Sequence, residues 1–79
     1  MKFVMSHNAI KALEMLDANT AGKLAKGIFR LPEKGDIKAM KGAFLGLMRL
    51  RVGDFRVIYK VVGDEIWIEQ IKPRGGAYD

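Results

Sequence analysis

The chain has 79 residues, of which 14 are Lys or Arg, 9 are Asp or Glu, one is His and none is Cys. This length suits one small domain over residues 1–79, and the lack of Cys excludes a thiol nucleophile, a disulfide framework and a thiolate zinc site. With 49% apolar residues, a net charge of +5 and no apolar run near the ~20 residues of a membrane span, we expect a folded cytoplasmic protein with a polyanionic or acidic partner.

The first part of the chain predicts a strand followed by a helical hairpin. Residues 2–5 suit a strand, and Ser6 is a good N-cap for a helix that begins near His7. The apolar residues that recur at helical spacing are Ile10, Leu13 and Leu16 in the first helix and Leu24, Ile28 and Leu31 in the second. Asn19-Thr20 is the expected break and second N-cap, and Pro32 begins a loop; the segment up to residue 45 favours no single element.

The rest of the chain predicts three strands joined by tight turns. Runs rich in Val, Ile, Tyr and Phe are separated by Gly53-Asp54 and Gly63-Asp64, a two-residue hairpin signal. The expected strands are 47–52, 55–62 and 65–72. The prediction is therefore an α+β fold of order βααβββ, with the helical hairpin packed on one face of a small, mainly antiparallel sheet.

Counting residues outward from the two turns assigns the faces of these strands. The expected partners are Val52 with Phe55, Arg51 with Arg56, Leu50 with Val57 and Arg49 with Ile58. The apolar face, expected under the helices, carries Met48, Leu50, Val52, Phe55, Val57, Tyr59, Val61, Ile66 and Ile68. The opposite face carries Arg49, Arg51, Arg56, Lys60, Glu65, Trp67 and Glu69, together with Leu47, Ile58, Val62 and Ile71.

The facing pair Arg51 and Arg56 points to an anionic ligand. Like charges directly opposite in a sheet are destabilising by up to ~1 kcal/mol, and a phosphate would relieve this repulsion. The last strand ends beside Phe55, which places Arg74 near the same corner, and Gly75-Gly76 gives Tyr78 the freedom to fold back over it. The pattern is typical of a phosphodiester-binding site.

A purely structural interpretation of these residues is equally open. Arg and Lys often cover exposed sheet faces, and Trp67 opposite Lys60 suits a structural cation–π pair. His7 is better explained as the first residue of a helix than as a ligand. The carboxylates lack metal-ligand spacing, and the segment 42–46 is not followed by the Lys-Ser or Lys-Thr of a phosphate loop, so we expect neither a metal nor a cofactor.

The stretch MKGAFLGLMRLRVGDFRVIYKV, residues 40–61, and the ending PRGGAY, residues 73–78, resemble the RelE/ParE superfamily of bacterial type II toxins. The resemblance extends over nearly the whole chain. It implies a toxin neutralised by an antitoxin encoded beside it. The RelE branch cleaves mRNA in the ribosomal A site without a metal, through attack of the 2′-hydroxyl to give a 2′,3′-cyclic phosphate, whereas the ParE branch acts on DNA gyrase.

Carried over by motif, the resemblance implies the site residues. The catalytic candidates are Arg49, Arg56, Arg74 and Tyr78, and the candidates for binding RNA or phosphate are Lys41, Arg51, Lys60 and Lys72. The sequence departs from the family at three positions. Leu47 and Arg49 stand where active members have Lys, and Pro73 stands where many have His. Because Arg is never neutral, these departures leave Tyr78 as the better candidate for proton transfer.

The partners implied by the resemblance are a RelB-like antitoxin, the ribosome with its mRNA, and operator DNA bound only by the toxin–antitoxin complex. Two other functions stay open at this point. One is a ParE-like gyrase inhibitor. The other is a catalytically weak homologue that acts mainly as an antitoxin-binding or operator-binding component. The retention of Arg56, Arg74 and Tyr78 favours the nuclease over the gyrase inhibitor.

Overall fold

The computed structural model describes residues 2–40, 42 and 46–73. The elements, in chain order, are β1 (Lys2–Met5), α1 (His7–Glu14), α2 (Ala18–Phe29), β2 (Asp36–Ala39), β3 (Met48–Val52), β4 (Phe55–Val62) and β5 (Glu65–Pro73). The strands form one sheet in the order β1-β5-β4-β3-β2. β1 runs parallel to β5 and every other pairing is antiparallel, which confirms the α+β class and the mainly antiparallel sheet.

Both helices begin at side-chain caps. The Ser6 hydroxyl accepts a hydrogen bond from the Ala9 N–H, as predicted, and α1 starts at His7, which is exposed. The predicted cap of α2 is wrong: Asp17, not Asn19-Thr20, holds the N-cap position. The Asp17 carboxylate accepts hydrogen bonds from the N–H and hydroxyl of Thr20, at 3.2 and 2.6 Å, and these bonds lower the pKa of the Asp17 carboxyl.

The core lies between the two helices and one face of the sheet. Its buried members are Ala9, Leu24, Ile28, Leu31, Leu50, Val57, Tyr59, Ile66, Ile68 and Ile71. The stripe predicted for α2 is confirmed, but Ile10 of α1 is 44% exposed and the small Ala9 occupies the buried position instead. Val61 lies on the expected face, yet it is half exposed near the end of β4. Neither α1 nor α2 has the length and apolar character that crossing a membrane requires.

The two hairpins match the sequence prediction. All four predicted pairs between β3 and β4 are found, from Val52 with Phe55 to Arg49 with Ile58. Gly53 and Gly63 have φ of +56° and +61°, and a positive φ at the first turn residue is what a type II′ hairpin requires. The register of β3 with β4, and that of β4 with β5 as far as Tyr59, therefore follow from the positions of the two Gly-Asp pairs.

The topology differs from the predicted order by one strand. β2 pairs antiparallel with β3, so four strands rather than three follow the helices. Its sequence, Asp-Ile-Lys-Ala, alternates in polarity, but it is four residues long and forms the edge of the sheet. Ile37 points to the core side opposite Leu50, which gives this short strand its apolar anchor.

A β-bulge in β5 overturns the predicted position of Ile71. Ile58 pairs with Gln70 and Tyr59 pairs with Ile68, so Glu69 is an extra residue without a partner on β4. The extra residue reverses the alternation of faces beyond it. Ile71 therefore lies opposite Val57 in the core, 7% exposed, rather than on the charged face.

Candidate nucleic-acid interface

The sheet face directed away from the helices, here called the outer face, carries a row of cations. Arg51 on β3 pairs with Arg56 on β4, and Arg56 pairs with Lys72 on β5. Since neighbouring strands are about 4.8 Å apart, the three backbones lie within about 10 Å of one another. Asp36 on β2 ends the row beside Arg51. The predicted pairing of Arg51 with Arg56 is therefore confirmed, and Lys72 is the third cation of the same row.

A second row lies directly beside the first. Lys38 on β2 is opposite Arg49, Arg49 is opposite Ile58, and Ile58 is opposite Gln70. Ile58 is only 1% exposed although it does not belong to the core between helices and sheet. The two rows together place five cations and one carboxylate on this part of the outer face.

Several of these cations lack an anionic partner. Among the residues that the structure describes, Lys38, Arg49 and Arg51 have no carboxylate within salt-bridge distance. The Nε of Arg49 is buried and has no hydrogen-bond partner within the described part of the chain. A buried donor without a partner costs about 1–3 kcal/mol, so an acceptor supplied by a ligand would be stabilising here. A guanidinium group that has no carboxylate partner is suited to bidentate binding of phosphate oxygens.

Lys60, a predicted phosphate-binding residue, is engaged within the protein. Its Nζ lies 3.4 Å from the Glu69 Oε1 and 5.3 Å from the centroid of the Trp67 ring. The Trp67 indole N–H donates a 3.1 Å hydrogen bond to the Glu65 carboxylate. The structural interpretation of the Lys60–Trp67 pair is therefore confirmed, and this end of the outer face is close to neutral.

Three predicted site residues, Lys41, Arg74 and Tyr78, lie outside the described residues. The last described residue, Pro73, is opposite Phe55, so β5 ends at the corner that holds Arg56 and Lys72. The other tyrosine, Tyr59, is buried on the core side of β4, where burial raises its pKa. Tyr59 cannot reach a ligand on the outer face, and Tyr78 stays the predicted source of a phenol there.

Sequence reasoning missed Lys38 and Asp36, because the strand that carries them was not assigned. The signal was present in the alternation of Asp36, Ile37 and Lys38, which is short but has the period of a half-buried strand. No group of His, Asp or Glu that could hold a metal occurs within residues 2–40, 42 and 46–73. The outer face offers positive charge and hydrogen-bond donors, which suit phosphate binding and transition-state stabilisation.

Similarity to solved structures extends over almost the whole chain. A chain of the RelE–RelB complex from the archaeon Pyrococcus horikoshii is 30% identical, with 96% of this chain and 97% of that chain covered and a TM-score of 0.76. The RelB–RelE toxin–antitoxin complex of Mycobacterium tuberculosis contains a chain with a TM-score of 0.79 at 18% identity, with 92% and 96% covered. The YoeB/ParE toxin of Agrobacterium tumefaciens gives 0.75 at 24% identity, with 94% and 99% covered. No family model and no curated protein sequence matches the chain.

Proposed function

Because this chain belongs to the RelE/ParE superfamily of toxins from type II toxin–antitoxin systems, we propose that it is a ribosome-dependent mRNA endonuclease that inhibits translation. The observation that carries the proposal is the row formed by Arg51, Arg56 and Lys72, beside Arg49, whose Nε has no hydrogen-bond partner among the described residues. These cations share the outer face, opposite the face on which α1 and α2 pack. The arrangement supports binding of a phosphodiester in an extended RNA strand.

The proposed reaction needs no metal. The 2′-oxygen of one nucleotide attacks the adjacent phosphorus, the bond from phosphorus to the 5′-oxygen breaks, and the products carry a 2′,3′-cyclic phosphate and a 5′-hydroxyl. Negative charge grows on the phosphoryl oxygens in the transition state. Arg49 and Arg56 stabilise that charge, because positioned cations act most strongly where charge develops.

Proton transfer is assigned to Tyr78. An arginine side chain does not act as a base in proteins, so Arg49 cannot accept the proton of the 2′-hydroxyl. A phenol among several cations ionises more readily than a free one, since the phenolate is stabilised by the positive charge. We therefore assign charge stabilisation to the arginines, and to Tyr78 the transfer of the 2′-hydroxyl proton to the departing 5′-oxygen.

A cognate antitoxin is the second proposed partner. An acidic antitoxin segment that covers the outer face would neutralise Arg49, Arg51 and Arg56 and exclude RNA from the same site. Operator DNA is bound only by the resulting complex, and the cytoplasm is the proposed site of action.

Primer extension on a translated mRNA, with and without the protein, tests the proposal. Cleavage inside codons, seen only when ribosomes translate the message, is the expected result. Loss of DNA supercoiling before any fall in amino-acid incorporation would refute the nuclease and identify a gyrase inhibitor. Neither effect, together with tight binding of the antitoxin, would identify a catalytically weak homologue, for which the replacement of Lys by Leu47 and Arg49 is the sequence argument.

A further inference from the structure

A second concentration of positive charge lies on the other side of β3. The groove between α2 and β3 encloses about 280 Å³, with a floor that includes Leu50 and Val52. The described residues that line it include no carboxylate and five cations, which are Lys23, Lys26, Arg30, Lys34 and Arg51. We refer to this feature as the basic groove.

The backbone of the protein builds this groove. Lys23, Lys26 and Arg30 recur at positions i, i+3 and i+7 and so share one side of the helix. A Cβ on Gly27 would lie 2.7 Å from the Val52 Cγ2, so the helix approaches β3 more closely here than any other residue would permit. Because α2 lies so close to β3, Lys23 and Lys26 line one side of the basic groove.

The cations of the basic groove outnumber the carboxylates near them, which are Asp36 beside Arg51 and Asp54 in the depression that Lys23 also lines. None of the five has a carboxylate within salt-bridge distance in the part of the chain that the structure describes. Lys60, by contrast, has both Glu69 and Trp67 as partners. Clustered cations without counter-charges repel one another, and release of their counterions favours binding of a polyanion.

Arg51 identifies which polyanion fits. It lines the basic groove and is also a member of the row with Arg56 and Lys72 on the outer face. Arg51 therefore connects the basic groove with the row on the outer face, and Asp36 is the carboxylate beside it. An acidic peptide could neutralise the cations of the groove without contacting the outer face. A nucleic-acid strand bound on the outer face would extend past Arg51 into the groove and so contact both regions.

We propose that the basic groove holds the phosphodiester backbone of the bound RNA beyond the segment that lies on the outer face. This inference rests on the proposed function in one respect, since RNA is taken as the ligand of the outer face. It adds a second contact region, which lengthens the RNA segment that the protein recognises and does not take part in the chemistry.

The chain offers a closely matched pair of variants for the test. Lys26→Glu changes a lysine in the last turn of α2, inside the basic groove, and Lys11→Glu makes the same change in the last turn of α1, outside it. Both side chains are exposed and both substitutions alter the net charge by the same amount. Effects of overall charge and of the helix dipole are therefore equal in the two proteins.

Binding is measured by fluorescence anisotropy with 2′-O-methyl RNA, which cannot be cleaved because it has no attacking hydroxyl. Two oligonucleotide lengths are compared, about 4 and about 12 nucleotides, which lie within the range of single-strand site sizes. A plot of log K against log salt has a negative slope. For the longer RNA we expect this slope to be less steep for Lys26→Glu than for Lys11→Glu by about 0.7, the value for one lost phosphate contact. For the shorter RNA the two variants should have equal slopes.

Equal slopes for the two variants with the longer RNA would overturn the proposal. So would a Lys26→Glu protein that loses affinity for a polyglutamate peptide while keeping its RNA affinity, because the groove would then be a site for acidic protein segments. Cleavage is a separate readout: a protein with the expected difference in slope that cleaves no translated mRNA refutes the nuclease and leaves the basic groove supported.

Discussion

The Ser6 hydroxyl donates a 2.5 Å hydrogen bond to the carbonyl oxygen of Glu69, the extra residue of the bulge in β5. The Ser6 hydroxyl oxygen also accepts a hydrogen bond from the Ala9 N–H, and the Ser6 N–H donates to the Ile68 carbonyl. One serine thus joins the start of α1 to the bulge. Since the bulge directs Ile71 inward, and Lys72 outward beside Arg56, this contact helps to shape the outer face.

We expect Ser6→Ala to lower the free energy of unfolding by about 1–2 kcal/mol. The substitution removes an N-cap and leaves the Glu69 carbonyl without its hydroxyl donor. In a domain of this size each kcal/mol corresponds to a fall of about 4–8 °C in Tm. Calorimetry measures the change, and Ser6→Thr, which keeps the hydroxyl, is the control. A Ser6→Ala protein with the same Tm as the wild type would show that the contact contributes nothing to stability.

Two glycines of α2 should respond to alanine in opposite directions. A Cβ at Gly22 would have no described residue within 4 Å apart from its chain neighbours and its own helix, so Gly22→Ala should stabilise the protein by about 0.5–1 kcal/mol through helix propensity. At Gly27 the added methyl would meet Val52, and we expect a net loss of about 1–2 kcal/mol from overpacking. Urea denaturation of both variants measures the difference. Equal stabilisation at the two positions would mean that α2 does not pack closely on β3.

The strand register could be predicted because its determinants are local. Gly53-Asp54 and Gly63-Asp64 set the turns, and the two-residue period of a strand then assigns each side chain to a face. Arg49, Arg51 and Arg56 were placed on one face by this reasoning, and the structure confirms the placement.

The features that the sequence did not reveal depend on contacts between distant residues. The bulge at Glu69 is accompanied by a hydrogen bond from Ser6, 63 positions earlier, and no local pattern marks it. β2 is too short to stand out, and its assignment needs β3 beside it. Asp17 and Asn19 are both acceptable N-caps, and the choice between them depends on where α2 meets the core.

The Asp17 carboxyl should make stability depend on pH in acid. Its hydrogen bonds with Thr20 lower its pKa in the folded protein below the ordinary value of 3.8. The stabilisation is therefore fully present above about pH 4 and is lost as the pH falls through the folded-state pKa. Thermal melts between pH 2 and 6 should show a smaller acid-induced fall for Asp17→Asn than for the wild type. Parallel curves for the two proteins would contradict this assignment.

Arg56 and Lys60 lie on the same face of β4 and should differ in their effect on cleavage. Arg56 belongs to the cation row, so Arg56→Ala should slow cleavage by about 10- to 150-fold, equivalent to ~1.5–3 kcal/mol for a charge-assisted contact. Lys60 is engaged by Glu69 and Trp67, and Lys60→Ala should change the rate by less than about fivefold, as for an exposed ion pair. Single-turnover assays on programmed ribosomes measure both. Equal losses would mean that the site extends to the Trp67 end of the outer face.

Tyr78→Phe separates proton transfer from binding. The substitution keeps the ring, and with it any stacking on a base, but removes the hydroxyl. We expect a fall in the cleavage rate of about 100-fold or more with little change in binding, the usual size of a positioned acid–base effect. A variant that cleaves at the wild-type rate would leave Tyr78 with no chemical role.

The parallel pairing of β1 with β5 has a consequence for the order of events during synthesis. β5 lies between β1 and β4, yet it is made after all the other described strands. At about 5–20 residues per second, the ribosome needs roughly 3–13 s to pass from Ser6 to Glu69, and β1 has no partner in that interval. Lys72 joins Arg56 only once this last strand has emerged. A translating ribosome is therefore not exposed to an assembled cation row until β5 has been made and has emerged.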